Sequence, residues 1–465
     1  MSPQTATPPL APWRMILLGI QHVIVMYTGC VTVPLVFGSA LGLPTHTVAT
    51  LVSADLLVAG LITVLQALGI RKIAGVRLPI VAGASFTAVT PMILIGQQYG
   101  LAAVYGAMIA AGVFGILVAV PFARIVKFFP AVVRGSAVTI IGLSLIGTAV
   151  GMISDGTGQV GLHLGLAAGV VLLIVVLMRF GRGFLSQSAV LIALVIGTVA
   201  AAFMSMTDFS SVGSAAWFGL PQPFLFGSPT FPIAAVISMC IVMLVIFTES
   251  TAYMMAVADM TGTKLSQGDL ARGLVADGAS SALAGVLTAF PDTVFAQNVS
   301  LVRMTGVRNR SVVVVTGVIL VAMGLVPKVG EVVASLPQVV IGAVSLVMFA
   351  TVAGVGIHTL AKVRYEGTHN IIVVSLSLGI GMIPVVSPDL YASFPPTVQI
   401  IAGGAITSSV IVAFLLNLLF NGGRGEDQGD PVVELPAAGL DTARGGPAES
   451  TAAPTADVDV EEATR

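Results

Sequence analysis

Apolar residues run in long stretches separated by short polar or Gly/Pro-containing gaps. The stretches fall roughly over 14–39, 47–69, 78–97, 100–122, 129–151, 160–179, 184–205, 231–256, 270–290, 292–304, 309–327, 337–357, 367–386 and 397–420. Most are close to the ~20 residues that a helix needs to cross a bilayer. None shows the period-two alternation of a lipid-facing barrel strand. Backbone in hydrocarbon must satisfy its own hydrogen bonds, and helices do so within one segment. The pattern predicts an all-α polytopic membrane protein with fourteen transmembrane segments, or twelve if two short segments do not cross fully.

The basic residues test that count independently. Arg71, Lys72 and Arg77 follow span 2; Arg124, Lys127 and Arg134 follow span 4; Arg179 and Arg182 follow span 6. Lys264 and Arg272 follow span 8, Arg303, Arg308 and Arg310 span 10, and Lys362 and Arg364 span 12. Connections after odd-numbered spans hold Asp155, Asp208, Asp292, Glu331 and Asp389, with Lys328 as their sole cation. Positive charge collects on the cytoplasmic side, so both termini are expected in the cytoplasm of a multi-pass plasma-membrane protein.

Composition narrows the class further. Hydrophobic residues make up 56 % and charged residues 9 %, against about a quarter charged in soluble domains. That excludes a water-soluble enzyme and leaves too little basic surface for nucleic-acid binding. The net charge of −1 conceals an asymmetry. Met1 to Gly423 carries 17 basic and 11 acidic residues, a net of +6, and Arg424 to Arg465 carries 3 and 10, a net of −7. The latter segment is rich in Gly, Pro and Ala and reads as a disordered acidic tail. Cys30 and Cys240 sit in apolar stretches and read as packing residues. The apolar stretch after Arg14 is too long for a cleavable signal peptide.

Two segments break the pattern. Span 3 is interrupted by Pro79, Gly83 and Pro91; span 10 is short and polar, carrying Gln297, Asn298, Ser300 and Arg303. Broken segments at corresponding positions of two halves point to a transporter binding site. Span 10 is to span 8 as span 3 is to span 1, which implies a seven-plus-seven repeat, and an odd-numbered repeat must be inverted.

Ionisable groups within spans are costly and are functional suspects by default. Glu249 in span 8, flanked by Thr248, Ser250 and Thr251, is the sharpest. A carboxyl group kept from water can accept an N–H from a ligand, carry a proton, or do both. His22 in span 1 reads equally as a titrating group or an interhelical donor. Asp277 in span 9 reads as an orienter of a helix end, a partner for Arg272, or a ligand contact, and Asp55 has the same open reading. Gln297 and Asn298 present adjacent carboxamides with donors and acceptors in one plane, suited to the edge of a flat heterocycle, and Phe86 offers an aromatic face. No Arg or Lys lies mid-span, which argues against a strongly anionic substrate. No nucleophile–base pair or metal-ligand cluster is visible, so neither catalysis nor a cofactor is expected.

The stretch FAQNVSLVRMTGVRNR, Phe295 to Arg310, resembles the signature of the nucleobase–ascorbate transporter family, with Gln297, Asn298, Ser300, Thr305 and Gly306 at its marked positions. Span 1 (GIQHVIVMYTGCVTVPLVFG), span 3 (GVRLPIVAGASFTAVTPM), the Glu of span 8 and LVADG of span 9 match in order. The resemblance implies two inverted seven-span repeats, short mid-membrane strands in spans 3 and 10, and a frequent homodimer. It also implies core and gate domains: core over 14–122 and 231–330, gate over 123–230 and 331–421, with cytoplasmic segments 1–13 and 422–465.

By the same resemblance, Glu249 and Gln297 hydrogen-bond a base, Phe86 contacts it, Asn298 holds the span 10 site, His22 buttresses Glu249, and Asp277 serves transport. Glu249, His22 and Asp277 are then the candidates for proton coupling, and Gln297 resembles the purine-handling members. Two positions depart from the family: Ser300 replaces a Gly, and Ala252 and Tyr253 stand where many members have Gly and Asp. The expectation is import of an oxidised purine, urate or xanthine, by elevator-like proton symport; sodium is disfavoured because few hard oxygens converge. The competing expectations are a uracil or other nucleobase carrier, an anion exchanger on a similar scaffold, and a non-transporting receptor or scaffold that uses the tail.

Overall fold

The computed structural model describes residues 11–125, 129–154, 160–366 and 368–422. The acidic tail, most of the N-terminal segment, Lys127 and Asp155 lie outside the described residues. The chain begins with α1 (Pro12–Ala40) and α2 (Thr45–Leu68), then a short strand β1 (Ala82–Ala84), a 3-10 turn (Phe86–Ala88) and α3 (Val89–Tyr99). Next come α4 (Leu101–Ile125), α5 (Ala131–Ser154), α6 (Val160–Phe180), α7 (Phe184–Gln187), α8 (Ala189–Phe203) and α9 (Ser210–Ser214). The second half comprises α10 (Ile233–Thr261), α11 (Gln267–Leu287), β2 (Asp292–Val294), α12 (Ala296–Thr305), α13 (Arg310–Gly324) and α14 (Pro327–Ala334). It ends with α15 (Gln338–Leu360), α16 (Asn370–Val386), α17 (Pro396–Ala402) and α18 (Ala405–Asn421).

Among the described residues eight helices are long and apolar enough to cross a bilayer, or ten if each bent pair is one span. The bent pairs are α13 with α14, at 80°, and α17 with α18, at 70°. Two further apolar helices, α8 and α16, are shorter. Outward-facing apolar side chains such as Leu172, Val195 and Leu376 stay exposed, as expected of surfaces solvated by lipid rather than water.

Helices pack in recurring pairs. α4 lies along α11 and α2 along α13; α1 touches α13 as α10 touches α4; α5 and α15 form the largest contact. Small residues permit the close approach, because helices in lipid gain from backbone proximity rather than from expelling water. A Cβ at Gly60 of α2 would lie 2.7 Å from the Gly317 carbonyl oxygen, and one at Gly317 of α13 would lie 2.8 Å from that of Gly60.

The broken segments form the one irregular stretch of buried backbone that bears on the site. β1 and β2 pair antiparallel, with Ala82 opposite Val294, Gly83 opposite Thr293 and Ala84 opposite Asp292. The ribbon is continued by Phe295 N donating to Val81 O (2.9 Å) and Ser85 N to Pro291 O (2.8 Å). Helix side chains satisfy its outer edges: Ala82 N donates to Thr63 Oγ1 on α2 (2.9 Å), and Val294 N to Ser250 Oγ on α10 (3.3 Å). Non-helical backbone is tolerated at such depth only where protein completes its hydrogen bonds in this way.

Two acids read from sequence as connection residues are placed otherwise. Asp292 lies in β2, fully buried, and accepts a 2.6 Å hydrogen bond from Ser280 Oγ on α11. Glu331 lies on α14, 6 % exposed, 2.9 Å from His46 Nδ1. In each case a polar partner on a neighbouring helix offsets the cost of taking a carboxyl group out of water.

Candidate functional site

A cavity of about 190 Å³ opens where the strand pair meets the helices. One wall comes from α1, the end of β1, α10, β2 and the first turn of α12; the other comes from α5, α6, α7, α8 and α15. Pockets for drug-sized ligands measure ~300–1,000 Å³, so this volume suits a small solute. The two walls differ in chemistry. The first brings Phe86, Thr87, Glu249, Tyr253, Gln297 and Ser300; the second brings mainly aliphatic residues, among them Val138, Ile141, Leu191 and Val352. A planar, partly polar molecule is complementary to that division: hydrogen bonds at its edge, apolar contact on its face.

Each polar group is held by an identifiable local feature. Glu249 projects from the middle of α10, and its Oε1 accepts a 3.0 Å hydrogen bond from Thr87 Oγ1 in the turn after β1. That turn is fixed by Ser85, whose side chain accepts from Thr87 N at 3.3 Å. Gln297 occupies the first turn of α12, set by the β2 strand, and among the described residues its carboxamide has no hydrogen-bond partner. Phe86 rests edge-on against Phe349 of α15, ring centroids 5.5 Å apart. The N-terminal turn of α12 borders the same space, and the unpaired N–H groups of a helix start favour electron-rich atoms.

The structure brings together Glu249, Gln297, Phe86 and Ser300 and sets the other sequence candidates behind them. Asn298 Nδ2 lies 3.0 Å from His22 Nδ1 and donates to His22 O at 3.0 Å, and both residues are buried. His22 therefore ties α1 to α12 through Asn298, and the expected buttress of Glu249 is Thr87 instead. Neither His22 nor Asn298 lines the cavity. Asp277 is also set back. Its Oδ1 accepts from Gln66 Nε2 at 2.9 Å, while Gln66 also donates to Gly273 O and accepts from Val76 N. Asp277 thus joins α11 to α2, whereas the cation first considered for it, Arg272, pairs with Asp269.

Some residues escaped sequence reasoning. Thr87 is the hydroxyl that meets Glu249; the signal available was its place in the polar island GASFT within an apolar run. Cys30 does more than pack, since its Sγ donates to Asp55 Oδ2 at 2.8 Å. Tyr253, noticed only as a replacement for an acid, lines the cavity one turn beyond Glu249.

Comparison with known proteins places the chain among permeases. The chain is 40 % identical over 408 residues to a xanthine permease of Bacillus subtilis, covering 87 % of this chain and 93 % of that protein. It is 39 % identical over 420 residues to the uric acid transporter UacT of Escherichia coli, covering 89 % and 87 %. Among solved structures it resembles the transmembrane domain of the cyanobacterial bicarbonate transporter BicA, with TM-score 0.55, 14 % identity, and 88 % and 98 % of the two chains covered. It also resembles the murine anion transporter Slc26a9, with TM-score 0.61, 13 % identity, and 89 % and 69 % covered. At such identities those two share a fold only. The model of a permease family, Xan_ur_permease, matches residues 14–390. The chain is accordingly a multi-pass membrane permease, not an enzyme, and belongs to the nucleobase–ascorbate transporter family.

Proposed function

We propose that this permease imports an oxidised purine base, urate or xanthine, together with a proton. The observation that carries the reading is the meeting of Glu249 and Gln297 in one small cavity whose other wall is mainly aliphatic. A carboxyl group and a carboxamide together offer the mixed acceptors and donors that a heterocycle with N–H and C=O edges requires. Xanthine and uric acid carriers among the relatives support the same class. Glu249 is the assigned proton carrier; Asp277 and His22 act through the helices they join rather than on the base.

The reading includes fourteen spans in two inverted repeats of seven. The strand–helix units β1–α3 and β2–α12 are then equivalent, and the recurrence of α4 along α11 as α2 along α13 supports that relation. It also includes two moving bodies, a core of α1–α4 with α10–α14 and a gate of α5–α8 with α15–α18. The sequence-based boundaries at 122 and 330 fall inside α4 and α14; α14 packs on α2, so the division belongs after each helix. Proton and base together favour the state in which the core releases inward. Coupling follows because each ligand binds that state preferentially. Both termini are cytoplasmic, in a plasma-membrane homodimer.

The test is uptake of radiolabelled urate and xanthine into membrane vesicles with and without an imposed inward proton gradient. Concentrative uptake should require the gradient and should vanish in Glu249→Gln while the variant remains in the membrane. Uptake indifferent to the gradient refutes proton coupling, and full accumulation by Glu249→Gln removes that residue from the mechanism.

A further inference from the structure

Tyr253 follows Glu249 by four residues on α10, and Ser300 follows Gln297 by three on α12; all four line the cavity. At 1.5 Å per residue these steps are about 6 Å and about 4.5 Å along the two helices. Residues so spaced share a helix face. Both helices advance towards connections that carry a cation, Lys264 after α10 and Arg308 after α12. The Cα atoms of Tyr253 and Ser300 therefore lie on the same side of those of Glu249 and Gln297, about one turn further along. Among the described residues the Tyr253 hydroxyl has no hydrogen-bond partner, although its ring is packed against the core.

We propose that Tyr253 and Ser300 form a second recognition tier, which reads the five-membered ring of a purine and selects purines that carry a carbonyl on that ring. This rests on the purine reading above and deepens it: the preferred substrate is the urate class rather than the xanthine class. With the six-membered ring engaged by Glu249 and Gln297, the five-membered ring extends towards the helical turn that carries the two hydroxyls. An oxidised five-membered ring presents N–H, C=O and N–H in succession, and a hydroxyl can donate to the carbonyl or accept from either N–H. Xanthine presents a C–H at the position of that carbonyl and offers no acceptor there. A site built to hydrogen-bond a substrate group discriminates against the analogue that lacks it, because its own polar groups are left unpaired.

The experiment measures half-saturation constants for urate and xanthine in vesicles carrying the full chain, unaltered or as Tyr253→Phe, with transporter amount in the membrane determined in parallel. Tyr253→Phe keeps the ring and removes only the hydroxyl. It should lower the preference for urate over xanthine about tenfold, ~1.4 kcal/mol, chiefly by weakening urate half-saturation. Ser300→Ala should move the ratio the same way and provides the reading if Tyr253→Phe accumulates poorly. An unchanged ratio in both variants, whether the two bases weaken equally or neither does, overturns the tier. An unaltered protein that transports both bases with no preference for urate also overturns it. Transport of neither base by the unaltered protein refutes the purine reading itself, a distinct outcome.

Discussion

Gly29→Ala is expected to weaken base binding by way of a single aromatic ring. A Cβ at position 29 of α1 would stand 2.3 Å from Cζ and 2.8 Å from Cε1 of Phe295, where carbon contacts normally rest at ~3.5–4.0 Å. The ring cannot simply back away. Phe295 is only 3 % exposed, so the protein around it limits how far the ring can move. Overpacking of this kind costs ~1–3 kcal/mol, and replacing a helical Gly by Ala returns up to ~1 kcal/mol. Net destabilisation of ~0–3 kcal/mol spans neutral to marked, so stability alone is a poor readout. Phe295 immediately precedes Ala296 and Gln297, and displacement of its ring shifts the first turn of α12. About 1.4 kcal/mol lost at that turn corresponds to a tenfold weaker base affinity. The assay is ligand binding to purified protein for Gly29→Ala, Phe295→Leu and the double variant. Leucine lacks the ring atoms that the new methyl would strike, so the double variant should bind more tightly than additivity allows, with a coupling of at least ~1 kcal/mol. Strict additivity, or wild-type affinity in Gly29→Ala, refutes the wedge.

Asn298→Ala strands the His22 ring nitrogen in a buried place and should cost ~1–3 kcal/mol, read as earlier thermal unfolding in detergent; an unshifted transition would exclude the joint between α1 and α12. Gly317→Ala should destabilise by ~1–3 kcal/mol through its approach to Gly60, whereas Gly151→Ala, with open space around its Cβ, should be neutral or mildly stabilising, and equal effects in thermal unfolding would discredit the close crossing. Gln297→Glu should change which bases compete for uptake more than it changes the amount of protein in the membrane; an unaltered competition profile would mean that Gln297 does not read the base.

The path from chain to site was legible where the signal was local. Apolar runs of bilayer length located the helices, Glu249 and Gln297 stood out because each interrupts a run that lipid or packing would keep apolar, and Phe86 because it is the aromatic ring of the broken span 3. Partners far apart in sequence were not legible. Nothing near Ala82 announces pairing with Val294, and ten helices, α2 to α11, separate His22 on α1 from Asn298 on α12. Asp292 misled for a related reason: charge bias assigns a side of the membrane to a connection, yet this acid is buried in a strand because Ser280, twelve residues earlier, meets it. Thr87 escaped because a hydroxyl costs little to bury and leaves a weak trace in hydropathy, whereas a carboxyl group leaves a strong one.

The sharp turn between α13 and α14 has a mechanical consequence. Residues 335–337 alone separate the end of α14 from the start of α15, and three residues at full stretch reach about 10 Å. If the bodies on either side slide past one another as proposed, a longer stroke has no slack to draw on at this junction. The remainder must come from α14 itself swinging like a crank about the 80° elbow that precedes it, so a staple between α14 and α2 would shorten the stroke without touching the solute.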